Sequence, residues 1–251
     1  MNPVDTPPRL LGICRIGVFL ALLLLPLAPL ATRAGLLPWQ IGLVLSALAV
    51  LASAVLLLLL LVLLAWPRFR VFAPRIVLLA ALAAVPVAIG AFIVLPARQL
   101  PAIHDISTDL AEPPLFSERT LALRGPGSNP LVRGTGLDAV QRAAYPRLAG
   151  LDSTLPPAEA LRRAEEIAGA LGWELNASDP AAGLVEARET TFWFGFVDDV
   201  AVRVRTTPTG SRIDLRSVSR VGRGDLGANA ARIERFLAAW REREPPAGGD
   251  S

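Results

Sequence analysis

Two arginines and two glycines, Arg220, Gly222, Arg223 and Gly224, stand just before an apolar-periodic stretch that reads as a helix. Free N–H groups and the helix dipole at such a start favour anions. Arg220 and Arg223 can clamp a phosphate or carboxylate bidentately, with Gly224 and Asn229 completing an anion site. A structural role fits the same residues: the glycines shape a turn, Asp225 caps the helix, and the arginines pair with Asp198 and Asp199. The spacing is not that of a P-loop, and the P-loop lysine is absent.

Asp198 and Asp199 form a second candidate, an acidic cluster expected in a strand-connecting turn. Paired carboxylates can bind a cation or carry out acid–base work, although turn aspartates commonly bond to their own backbone. Asp105 and Asp109 invite the same reading. His104 is the one histidine. It lies near Asp105 and Ser107, but no nucleophile elbow accompanies it. No catalytic residue, metal site or cofactor is assigned from these patterns.

Composition narrows the chemistry further. All 25 basic residues are arginine, so lysine Schiff bases and lysine nucleophiles are excluded. Cys14 is the sole cysteine, which rules out an intrachain disulfide and a cysteine zinc site. Residues 1–97 carry six arginines and one acid, against 19 arginines and 21 acids after them. The basic excess therefore flanks apolar segments, where membrane orientation explains it. It does not imply a nucleic-acid partner.

Three apolar runs precede the soluble part. Ile41–Ala65 has 25 uncharged residues between Trp39 and Trp66, and Ile76–Ala97 has 22. A bilayer core needs roughly 20, and tryptophan at both ends fits its interfacial belt. Ile16–Thr32 is shorter, at 17 uncharged residues, and holds Pro26 and Pro29. It reads as a transmembrane helix, with a cleaved signal peptide as the competing reading. The expected spans are about 11–32, 39–66 and 76–97, within a membrane anchor of residues 1–97. The basic loop with Arg68, Arg70 and Arg75 predicts a cytoplasmic side. The later domain then lies outside, in the periplasm if the membrane is a bacterial inner membrane. The expected partners are the lipid bilayer and an envelope protein or anionic small molecule.

Residues 98–155 read as an extended Pro/Gly-rich lead-in, with a short strand at Thr120–Arg124 and a short helix at Asp138–Ala144. An α+β core over 156–243 follows. It is expected to hold a helix at Pro157–Leu171, strands at Trp173–Ala177, Leu184–Phe194, Val200–Thr206 and Arg212–Ser219, and a helix at Leu226–Arg243. Alternation of Val200, Val202 and Val204 with Ala201, Arg203 and Arg205 marks the third strand. Leu226, Ala230, Ile233, Leu237 and Trp240 mark the apolar stripe of the last helix. The predicted fold is α+β: three transmembrane helices, then a two-layer domain with an antiparallel four-stranded sheet and two helices on one face. The other face would present Glu186, Arg188, Arg203, Arg205, Asp214 and Arg216, either as cross-strand ion pairs or as a docking surface. Phe192, Trp193, Phe194 and Phe196 are expected in core and strand-end packing. Residues 244–251 are expected to be a disordered tail.

The stretch Trp193–Val200, with Ser217–Asn229 after it, resembles the bacterial domain of unknown function 1499 family. His104–Asp109 resembles that family's leading segment, with His104 in place of Asn and Ser107 in place of Thr. The resemblance implies a domain over about 98–243, often preceded by transmembrane segments, and it implies no activity.

Overall fold

The computed structural model describes residues 8–243. The expected tail at 244–251 lies outside the described residues. The chain divides into two units, Met1–Arg98 with Phe192–Gly195, and Gln99–Thr191 with Phe196–Ser251.

The first unit is built on α1 (Arg9–Arg33), α2 (Trp39–Ala65) and α3 (Ala73–Ala97), with a 3-10 turn at Pro67–Phe72 before α3. All three are long and apolar enough to cross a membrane. Cys14 and Val18 of α1, Leu60 of α2, and Ile76 and Ala83 of α3 are buried in one cluster. Small residues allow close packing: a Cβ on Gly17 would lie 3.0 Å from Leu56, and one on Gly90 would lie 2.8 Å from Val50. Close approach through small residues is how helices associate where lipid offers no hydrophobic contrast. Outward-facing Phe19, Leu58 and Phe92 remain exposed.

The second unit is α+β. Its elements are β1 (Asp105–Ser107), α4 (Glu118–Leu123), α5 (Leu137–Ala144), β2 (Leu151–Ser153), α6 (Pro157–Ala170), β3 (Glu174–Asp179), β4 (Leu184–Thr190), β5 (Val197–Thr207), β6 (Gly210–Ser219) and α7 (Ala228–Arg243). The sheet has six strands, not the expected four, in the order β1-β6-β5-β4-β3 with β2 also on β6. Every pairing is antiparallel. The two extra strands come from the lead-in, and each has three residues, too few for alternation to be legible. Together they cover the outer edge of β6, which would otherwise be open to pairing with another chain.

The expected helix face holds. Val200, Val202, Val204, Ile213 and Leu215 of the sheet pack with Leu161, Ala164 and Ile167 of α6, and with Ile233, Phe236 and Trp240 of α7. Trp173 stacks on Phe236 with ring centroids 5.6 Å apart.

The opposite face is not an open docking surface. Glu186, Asp214 and Arg216 are only 1%, 1% and 2% exposed, because the lead-in covers them. Glu186 accepts from the Ser117 N–H and hydroxyl and, at 2.9 Å, from the Thr120 hydroxyl. Those bonds fasten α4, which is a helix where a strand at Thr120–Arg124 was expected. Five residues cannot separate the two periods, and tertiary anchoring decides. Arg216 donates to Asp105 at 3.0 and 2.8 Å and to the Pro114 carbonyl at 3.2 Å, with its guanidinium 5.6 Å from the Phe116 ring centre.

Candidate functional site

Asp198 and Asp199 do not sit in a turn. They lie inside β5, opposite Ser219 and Val218 of β6, and both are buried. Successive strand side chains point to opposite faces, so the two carboxylates enter different networks.

On the helix face, Asp198 accepts from Arg232 of α7 at 2.6 Å. Arg232 also donates to Asn229 Oδ1 at 2.6 Å, to the Ser217 hydroxyl at 2.9 Å, and to Glu189. Asn229 is fully buried and engaged on both ends of its amide. Its Nδ2 donates to the Ser219 hydroxyl at 2.9 Å and to the His104 carbonyl at 3.1 Å. It is an internal bridge between α7, β6 and the start of β1, not an exposed ligand contact.

On the lead-in face, Asp199 takes a bidentate pair from Arg220, at 3.0 Å from Nε and 2.7 Å from Nη2. Arg124 donates to the same carboxylate, and Arg220 Nη1 donates to the Leu123 carbonyl at 2.7 Å. Charge-assisted forked pairs of this kind are strong and geometrically specific. Arg220 is therefore committed within the protein, as the structural reading of the motif proposed. Its partnering of Asp198 was not to be: Arg232 holds that carboxylate.

The turn between β6 and α7 is shaped by its glycines. Gly222 has φ +88°, and a Cβ on Gly224 would come 2.9 Å from Ala102 Cα. Asp225 does cap the helix, accepting from the Gly227 N–H at 2.9 Å and the Asn229 N–H at 2.8 Å. Burial pushes its carboxyl above the usual range, against the lowering effect of those N–H groups. The cap also fills the anion position that the helix start was expected to offer. Leu226 has φ +53°, so the helix begins at Ala228 and Leu226 falls off the apolar stripe. Arg223 is different from its neighbours. It is exposed and makes no ion pair among the described residues.

His104 contributes its backbone, accepting from the Ser219 N–H at 2.9 Å. The Ser107 hydroxyl donates to the Asp109 carbonyl at 2.8 Å. Asp105 joins Arg216 and, at 2.8 Å, Arg133. Asp109 bridges Arg203 and Arg205, each at 2.9 Å. Burial raises the Asp109 carboxyl, but the Glu112 N–H and the two arginines outweigh it and leave it below the usual range. A cavity of about 430 Å³ opens beside Asp109, Gln141, Tyr145, Arg205, Arg212 and Asp214. Among the described residues, no three His, Cys, Asp or Glu side chains gather as a metal site would require.

Residues 105–240 match the family described as protein of unknown function (DUF1499). The chain belongs to the DUF1499 family. The match begins at the first residue of β1 and ends at Trp240 in α7, so it takes in both ion-pair networks and the whole sheet. No curated protein matches the chain. Sequence reasoning about the DUF1499 domain missed Arg124, Arg133, Glu189 and Arg232, which complete these networks. An arginine breaking the apolar pattern of a helix, as Arg232 does beside Ile233, was the available signal.

Proposed function

We propose that the chain is a membrane-anchored binding or interaction module, not an enzyme. It sits in a bacterial inner membrane with its α+β domain in the periplasm, and it recognises an anionic group on a small molecule or envelope partner. Orientation rests on Arg68, Arg70 and Arg75 between the second and third uncharged apolar runs, with Arg9 and Arg15 ahead of the first run. Basic loops stay on the cytoplasmic side, and an odd number of crossings then carries the chain out.

The observation that supports anion recognition is the position of Arg223. It is the cation of the Ser219–Asn229 segment left exposed and without an ion pair among the described residues, while Arg220 is bound to Asp199. A carboxylate-based hydrolase is disfavoured, since Asp198 and Asp199 diverge to opposite faces and each is already matched by arginine.

The test uses the full chain in native membranes with a photoreactive residue at Leu226, with Arg223 intact or as Arg223→Gln. Adducts formed with Arg223 and lost in the variant, at an unchanged unfolding midpoint, support the reading. Adducts indifferent to Arg223 overturn it.

A further inference from the structure

The turn that carries Arg223 stands at a particular end of the sheet. Register places Asp198 opposite Ser219, Thr190 opposite Val197 and Asp105 opposite Val218. The segment entering β1, the β4–β5 connection and the β6–α7 turn therefore share one end. The β6–α7 turn also packs on the incoming segment. Asp225 N–H donates to the Ile103 carbonyl at 3.1 Å, and a Cβ on Gly227 would lie 2.7 Å from Leu100.

Chain length then limits where this end can be. Leu100 follows the last residue of α3, Ala97, by three positions, so it lies within about 11 Å of it. The 25 residues of α3 span about 37 Å, against a hydrocarbon core of about 30 Å. A helix of that length ends among the lipid headgroups.

An exposed apolar side chain at this end matches such a setting. Leu226 is 62% exposed in a left-handed conformation that costs a branched residue energy.

We propose that this end of the domain rests on the bilayer that the chain itself spans. Arg223 pairs with the phosphate of an anionic phospholipid, and Leu226 lies at the boundary with the acyl chains. This names the anionic partner of the preceding section and rests on that reading.

The test is fluorescence quenching by spin-labelled lipid, on full-length protein in nanodiscs containing phosphatidylglycerol. A bimane label is placed at Leu226→Cys in a Cys14→Ser background. The control label is at Thr209→Cys, in the turn at the far end of β5 and about 30 Å away along the strand. Strong quenching at 226 and none at 209 is expected. Adding Arg223→Gln should weaken the lipid contact by about fivefold. If the Leu226→Cys chain does not fold, a label at Val221→Cys, partly exposed in the same turn, gives the same comparison with Arg223 in place. An unquenched label at the near end, or equal quenching at both ends, overturns the lipid proposal. The anion-recognition reading would survive that result with a protein or soluble partner, and it fails only if Arg223 is dispensable in the cross-linking experiment.

Discussion

Asp198 and Asp199 are adjacent in β5, yet one is held by Arg232 from the helix side and the other by Arg220 and Arg124 from the lead-in side. A single dipeptide thus fastens both layers to the sheet. Dipeptides of this kind invite an acid–base reading, and the pleat of the strand separates the two carboxylates by construction.

Removing either carboxylate leaves arginines buried without their partner. Asp199→Ala should destabilise the domain by about 3–5 kcal/mol, the usual cost of breaking a buried pair from one side. Denaturant unfolding of the full chain in detergent measures it. The double variant Asp199→Ala/Arg220→Ala should be less destabilised than the sum of the single changes.

Asn229→Ala leaves the Ser217 O–H and one Arg232 N–H without their acceptor and takes a donor from the Ser219 hydroxyl and from the His104 carbonyl, which keeps the Ser219 N–H. Each donor left unsatisfied costs about 1–3 kcal/mol. The expected result is a lowered unfolding midpoint that Asn229→Asp does not restore, because an aspartate cannot donate to His104.

Gly224→Ala places a methyl group against the Ala102 backbone. Overpacking of this kind costs about 1–3 kcal/mol. Gly125→Ala, where nothing lies within 4 Å, is the matched control and should leave the midpoint where it is.

Acid sensitivity should divide between two aspartates with opposite signs. Asp109 titrates lower in the fold than in the unfolded chain. Its stabilisation is present above the unfolded carboxylate range and is lost as pH falls through the folded value. Asp225 titrates higher in the fold, so its contribution falls as pH rises through that range. Asp109→Asn should flatten the acid limb of a stability–pH curve, and Asp225→Asn should steepen it. Thermal scans between about pH 3 and 7, bracketing the ordinary carboxylate values, read both.

The periodic elements were legible from sequence. Val200, Val202 and Val204 alternate into the core, and Ile233, Leu237 and Trp240 recur at helical spacing onto the same face. What periodicity cannot carry was missed. Asp105–Ser107 and Leu151–Ser153 are strands only because the edge of β6 accepts them. Glu186 and Arg216 looked solvent-facing because the residues that cover them, Ser117 and Asp105, lie 69 and 111 positions away. Phe192 and Trp193 have core composition, yet the turn between β4 and β5 leaves them exposed. Of the anion site, the capping role of Asp225 was legible locally, whereas the capture of Arg220 by Asp199 depends on strand register.

The proposed outward orientation of the anchored domain is tested most directly by labelling. In intact cells expressing the Cys14→Ser, Thr209→Cys full chain, a membrane-impermeant maleimide should react at position 209 before any permeabilisation. Reaction only after permeabilisation would place the domain in the cytoplasm and contradict the account.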